Sequence, residues 1–426
     1  VLGGGGFRVP LVYQALLNAD LDIDEIVLQD IDPARMHVIA AVLGSDGPPV
    51  RATTDLEEAL EGTELIFSAL RVGGTSGRVE DERRALDLGV LGQETVGAGG
   101  LRYALRAVPV ADRLAARIGE RAPGAWTITM TNPAGIVTEV MARHLGARVI
   151  GVCDSPTALV RRALAALGVD PGADLARISD SVSIDYLGLN HLGWLRAVGV
   201  DGVDELPGLL ADEAALDRIE EGKLFGTDLI RALGALPNEY LYWYYAASEA
   251  LAGVRAAGRT RGEHVHDEQT RFYAAATGDP ARAAQLWAEA NDERKRTYFA
   301  ELRDGDRDEI DVAAGGYETM AAALAEALTG RAPATLIVNV PNRGVVAELP
   351  DDAVIEVPCR VDKTGACPLT IAPPTLHQLG LIAQVKASER AVIEAGLGGS
   401  ADAALRAFAL HPLVGSLQAA RQLAMF

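Results

Sequence analysis

"VLGGGGFRVP" (residues 1–10) decides how the rest of the chain is read. Two apolar residues run straight into four glycines, then into Phe7, Arg8, Val9 and Pro10. Glycine loses more conformational freedom on ordering than any other residue, so a run of it is kept where the backbone turns tightly or comes very close to a ligand. Gly3-x-Gly5 after an apolar strand residue, followed by the helical spacing of Leu11, Val12, Ala15, Leu16 and Leu17, fits the first strand, turn and helix of a dinucleotide fold, whose loop cradles a pyrophosphate. The third glycine of a G-x-G-x-x-G pattern falls on Arg8, and a glycine-rich hairpin or a tag remnant is the competing reading of this stretch alone.

Moving outward, short β-branched runs at 25–28, 64–70, 126–131 and 148–152 alternate with helical patterns such as 111–121. Strand and helix in alternation imply right-handed βαβ units and a parallel sheet covered by helices on both faces. The expected fold is therefore α/β, with a Rossmann-like dinucleotide-binding domain over 1–155 and a mixed α+β domain over 156–426. Asp30 ends the second strand in "IVLQDID", where a carboxylate can accept from adenosine ribose hydroxyls; Asp32 competes for that role, and either can instead cap the next helix. In the second half the acidic stretch 201–222 reads as a solvated helix or lid, 282–303 as a charged helix, and "TLIVNVPNRG" with "AVIEVPCRVD" as two strands of a second sheet. A helix over 375–395 is expected to end at Gly396.

Composition narrows the partners. With 39 Lys and Arg against 59 Asp and Glu, the net charge of −20 argues against nucleic acid and anionic membranes, so an anionic substrate must be held by local arginines. No apolar run approaches a membrane span and no signal peptide is visible. Three scattered cysteines, Cys153, Cys359 and Cys367, give no disulfide framework and point to a reducing cytoplasm.

Chemistry gathers in four places: "MTNPAGIVTEV" (130–140), "GVCDSP" (151–156), "GLNHLGW" (188–194), and "LPNEYLYWYY" (236–245) with "GRTRGEHV" (258–265) just after it. The first three put Asn132, Cys153 with Asp154, and His191 at strand ends, the edge where such sheets bind ligands. Read singly, a cysteine or histidine there is a buried packing residue and the tyrosines are core. Read together they converge on one cleft. Cys153 and His191 without further protein ligands cannot make a closed structural zinc site, but suit an open one completed by substrate oxygens and water.

These segments, with "LGQETVGAGG" (91–100), "VPNRG" (340–344) and "IEVPCRVD" (355–362), resemble glycoside hydrolase family 4, the NAD- and manganese-dependent glycosidases, and within it the 6-phospho-β-glucosidase branch. The resemblance covers nearly the whole chain. It implies a lactate/malate dehydrogenase-like nucleotide domain in which Gly3, Gly5, Phe7, Arg8 and Asp30 meet NAD. It implies Cys153 and His191 as ligands of Mn²⁺ or another divalent metal, Asp154 as the acid protonating the leaving oxygen, and Tyr240 as the base taking the C2 proton, with Tyr244 the alternative base. Arg78, Glu94, Asn132 and Arg261 match substrate positions. The motif departs from the family pattern at Tyr242 and Trp243. The implied activity is hydrolysis of 6-phospho-β-glucosides to glucose 6-phosphate by oxidation at C3, elimination and water addition, in a cytoplasmic homodimer or homotetramer. The alternatives are a 2-hydroxy-acid dehydrogenase, a non-catalytic sensor, and the 6-phospho-α-glucosidase or α-galactosidase branches of the same family.

Overall fold

Leu2 is the point at which the sheet reverses its order. In the computed structural model, which describes residues 1–45, 47–170, 177–179, 181–297 and 316–425, Leu2 bridges in parallel to Gln29 on one side and to Ser68 on the other. The strands around it are β1 (Ile26–Gln29), β2 (Val50–Thr53), β3 (Leu65–Ser68), β4 (Trp126–Thr129) and β5 (Val149–Gly151). β1 pairs in parallel with β2, β3 with β4, and β4 with β5. The order β2, β1, Leu2, β3, β4, β5 is that of a doubly wound nucleotide fold, and the glycine loop leaves the sheet at the switch point where ligands bind. β1, β3, β4 and β5 each lie within a residue or two of their expected positions, whereas β2 was not expected.

The remaining strands are β6 (Val182–Leu189), β7 (Leu192–Val200), β8 (Val203–Asp204), β9 (Leu236–Pro237), β10 (Ala334–Pro341), β11 (Val354–Asp362) and β12 (Gly365–Pro368). β10 and β11 are the two strands expected in a second sheet, and they pair with each other. They nonetheless extend the first sheet: β10 lies antiparallel to β5 through Asn339 and Gly151, and β11 to β6 through Glu356 and Gly188. The cause is the edge of β5, all three of whose residues are buried. A buried strand edge needs partners for its backbone groups, and β10 supplies them. Alternation along β3 sends Ile66 into one apolar cluster, with Val108, Met141 and Val392, and Phe67 into another, with Val12, Ile39 and Leu324, so both faces of the sheet are covered.

Two other expectations change. The acidic stretch 201–222 forms β8 and short helices at Leu206–Ala211, Glu213–Leu216 and Glu220–Phe225. It is solvated on one face, where Asp201, Asp204, Asp212, Glu213 and Asp217 are exposed, and packed on the other, where Leu206, Leu209, Leu216 and Ile219 are buried; Glu220 and Glu221 are buried as well, Glu221 against the counter-charge of Arg162. The late helix runs Leu376–Gly398 from a Thr375–Gln378 capping box, and Gly399, at φ 65°, ends it. Gly396 sits inside the last turn because a Cβ there would lie 2.7 Å from Val108, so this glycine serves helix packing. The charged helix is observed over Ala283–Arg296; its expected tail at 298–303 lies outside the described residues.

Candidate active site

The glycine loop is shaped by contacts that leave no space for side chains. Gly3 has φ 83°, and a Cβ on it would stand 2.7 Å from the Ala69 carbonyl oxygen. Gly5 N–H donates to Asp30 Oδ2 at 3.0 Å, and Asp32 N–H donates to Asp30 Oδ1 at 3.1 Å. Asp32 caps the helix Pro33–Leu43, accepting from the N–H groups of Ala34 and Arg35. The two acids are thus separated in role: Asp32 is the cap and Asp30 tethers the loop. Ile31, between them, is 91% exposed and lines the cavity, an apolar surface beside Asp30. Two donors from far along the chain hold the loop's other side, Tyr273 Oη to Gly5 O at 2.7 Å and Trp287 Nε1 to Phe7 O at 2.8 Å. The Phe7 ring packs edge-on against Phe272 at 5.4 Å.

A cavity of about 830 Å³ opens from this loop and gathers every candidate residue except Cys153 and the alternative base Tyr244. Gly3, Gly5, Phe7, Arg8 and Asp30 line it together with Arg78, Glu94, Asn132, Asp154, His191, Tyr240 and Arg261. Cys153, one residue before Asp154, is buried, and its thiol is pushed up by burial and by the nearby carboxylates of Glu356 and Asp154.

His191 carries the most informative geometry. It follows β6 at φ 62°, and its ring lies flat against Tyr240, with centroids 3.6 Å apart and planes 2° from parallel. Nδ1 is 2.6 Å from Thr95 Oγ1, and that hydroxyl is 3.0 Å from Gln93 Oε1, which can only accept. Thr95 therefore donates to Gln93 and accepts from His191, which puts the imidazole proton on Nδ1. Nε2 is left as the lone-pair nitrogen. It is buried and has no hydrogen-bond partner among the described residues. Burial pushes the imidazolium pKa down to about 3, so the ring stays neutral. A neutral, oriented imidazole whose orphaned nitrogen lies in the cavity that Asp154, next to Cys153, also lines suits a divalent cation.

The acid and base candidates are tied together from behind. Ser155 Oγ, next to Asp154, donates to Glu239 Oε1 at 2.9 Å, and Glu239 precedes Tyr240. Arg162 grips Glu239 at 3.2 Å and Glu221 at 2.5 Å, all buried. Asp154 occupies the N-cap position of the helix Ser155–Ala166 without using its carboxylate as the cap. Tyr244, by contrast, lies near His411 at 6.1 Å and does not line the cavity.

The cationic side of the cavity is more crowded than the sequence implied. Arg78 is shared between Glu82 at 2.6 Å and Glu94 at 2.5 Å, and Glu94 also pairs with Arg71. Arg261 donates to Thr297 Oγ1 at 2.8 Å and to the Arg294 carbonyl at 3.1 Å. Arg294 and Lys295 join the lining. Burial, together with Arg8, Arg261, Arg78 and Arg71, drives the Arg294 pKa well down. Among the described residues no carboxylate pairs with Arg294. Thr95, Glu239, Tyr273, Trp287 and Arg294 were not singled out by sequence. Only the "GQET" segment containing Thr95 and the "LPNEYLYWYY" segment containing Glu239 offered a signal.

Comparison with known proteins settles the lineage. The family described as Family 4 glycosyl hydrolase matches residues 1–169, and its C-terminal domain matches residues 186–414. The chain belongs to family 4 of the glycosyl hydrolases. It is 30% identical over 452 residues to a 6-phospho-beta-glucosidase of Escherichia coli strain K12, covering 99% of this chain and 92% of that one. Its fold is similar to the 6-phospho-beta glucosidase from Thermotoga maritima solved with NAD and glucose-6-phosphate, at TM-score 0.82, 26% identity, and 99% and 95% coverage. It is also similar to a 6-phospho-alpha-glucosidase from gut microorganisms in complex with NAD and Mn²⁺, at TM-score 0.79, 27% identity, and 99% and 95% coverage.

Proposed function

We propose that this family 4 chain hydrolyses 6-phosphoglucosides, β anomers first, using NAD and a divalent metal, with Mn²⁺ the expected ion. The observation that carries the reading is the orphaned, lone-pair Nε2 of His191, set in the same cavity as the glycine loop, Asp154 and Tyr240. Gly3, Gly5, Phe7, Arg8 and Asp30 form the dinucleotide wall, and Cys153 and His191 are the metal ligands of this reading. Held by these residues, NAD would supply a reversible hydride acceptor for C3 and the ion a Lewis acid for the sugar oxygens, chemistry that would acidify the proton at C2.

The chain's own residues do the rest. Tyr240, held flat on His191, takes the C2 proton, and Asp154 protonates the departing oxygen. Ser155 and Glu239 keep that acid and base in register. Asn132, Arg78 and Glu94 orient the sugar, and Arg261 with Arg294 faces the phosphate, for which a guanidinium has matching forked donors. This cationic wall lets a chain of charge −20 accept a dianion.

The same reading places the nucleotide contacts before residue 155 and draws the sugar and metal contacts from both sides of it. It also includes a symmetric homo-oligomer and a cytoplasmic location, supported by three free cysteines. Among the described residues no helix is long and apolar enough to cross a membrane.

The test is hydrolysis of 4-nitrophenyl α- and β-glucosides, with and without the 6-phosphate, with NAD and Mn²⁺ added or withheld. Turnover is expected only with the phosphate and both cofactors, faster for the β anomer, and lowered about 10² to 10⁴-fold in Tyr240→Phe. Equal turnover of unphosphorylated glucosides overturns the substrate, and net accumulation of NADH overturns the hydrolytic mechanism.

A further inference from the structure

Outside the lining of the active cavity, His264, Glu268 and Glu293 bring one ligand atom each to within 4.8 Å of one another. His264 and Glu268 lie one turn apart on the helix Arg261–Gly278, and Glu293 reaches in from the helix Ala283–Arg296. His264 Nε2 stands 3.4 Å from Glu268 Oε2 and 3.4 Å from Thr297 Oγ1. The Glu268 side chain is only 8% exposed, and its Oε1 is fully buried with no hydrogen-bond partner among the described residues.

Such a carboxylate calls for a cation, and the neighbours do not provide one. Its only ion-pair partner among the described residues is His264, whose protonation is disfavoured by burial and by Arg261 and Arg259, against the pull of Glu268. Arg259 is engaged with Asp267, and Arg296 with the exposed part of Glu293 at 2.9 Å.

We propose that His264, Glu268 and Glu293 hold a second divalent first-row cation, of the Zn²⁺, Co²⁺ or Mn²⁺ class, that joins the two helices. One imidazole and two carboxylates suit such ions. Bond lengths of about 2.0–2.2 Å draw ligand atoms to roughly 3–3.5 Å apart, so closure needs a side-chain shift of about 1 Å. The joined helices present Arg261 and Arg294 to the cavity, already linked by the Arg261 to Arg294 carbonyl bond at 3.1 Å. The ion is thus a positioning clamp, not a participant in chemistry.

Co²⁺ is the probe, followed by its visible absorption and by metal stoichiometry on full-length, metal-depleted protein, with circular dichroism confirming the fold of each variant. Wild type is expected to bind two Co²⁺ per chain, Cys153→Ser/His191→Ala one, and His264→Ala/Glu268→Gln one. A single wild-type ion that is retained in His264→Ala/Glu268→Gln and lost in Cys153→Ser/His191→Ala overturns the second site. A single ion with the opposite pattern supports it while overturning the Cys153 and His191 assignment. Should Cys153→Ser/His191→Ala fail to fold, the wild type and His264→Ala/Glu268→Gln decide: two ions falling to one upholds the clamp, and an unchanged count removes it.

Discussion

Arg162, buried behind the active cavity, and Arg294, half-buried in its wall, have surroundings opposite in sign. Burial works against the charge of Arg162, yet Glu221 and Glu239 raise its pKa well beyond the ordinary arginine value. Arg294 is depressed by burial and then further by four other arginines. An arginine does not give up its proton in a protein, so the second environment registers as an unmet need for an anion. The contrast teaches that burial alone does not assign a role to a charged side chain. The identity of the facing charges does: Arg162 completes a scaffold with Glu221 and Glu239, and Arg294 faces other arginines, as a proposed phosphate contact would.

The contrast breaks most easily at Arg162. Arg162→Met leaves Glu221 and Glu239 buried without their cation, and the expected loss is about 3–5 kcal/mol in urea unfolding. Removing Glu221 as well, in Arg162→Met/Glu221→Leu, should recover part of that loss. No recovery would mean that Arg162 acts through packing, and the contrast of charges would fail.

Glu356 sharpens the comparison as an intermediate case, a buried acid whose hydrogen-bond partners are neutral: Asn339 Nδ2 at 2.8 Å and Tyr186 Oη at 3.1 Å. Burial, aided by Asp154, outweighs them and raises its pKa from 4.5 to about 7. The folded state therefore holds more protons than the unfolded state between these values. Stability should fall as pH rises through that window, by about 3 kcal/mol in full above pH 7. Glu356→Gln, measured on metal-free protein, should flatten the slope and stabilise the fold at pH 8 while changing little at pH 4. An unchanged slope would show that Glu356 does not titrate there.

Arg294→Ala is expected to have the smallest effect and the opposite kind. KM for a 6-phosphoglucoside should rise about 10–100-fold, the worth of roughly 1.4–2.7 kcal/mol of charge-assisted bonding, with kcat and urea stability nearly unchanged. A large loss of stability instead would place Arg294 with Arg162.

How much of this was legible depends on whether a feature is local. The glycine loop, Asp30 and strands β1, β3, β4 and β5 are written in neighbouring residues, and so were read to within a residue or two, while the four-residue β2, only one of whose residues is buried, carries no apolar run to read. Asp32 needed the structure to be assigned as the cap, because a cap and a ribose acceptor have the same side chain. The joining of β10 to β5 and the burial of Glu221 depend on partners well over fifty residues away, which no periodicity records. Arg78 was visible as a cation, but its sharing between Glu82 and Glu94 was not. The proton position on His191 was hidden for the same reason: it is fixed by Thr95, which is 96 residues away.

The hydrogen bonds from Tyr273 and Trp287 to the carbonyls of Gly5 and Phe7 bear on the portability of the nucleotide half. A dinucleotide fold is often thought of as a cassette that recombination can move between enzymes. Here the loop that defines the cassette is braced by side chains more than 260 residues downstream, at separations of 268 and 280 positions. The edge strand of its sheet is likewise completed by β10. Transplanted alone, the first 155 residues would leave behind both the brace and the covering strand, so this half is bound by inheritance to the remainder of its own chain.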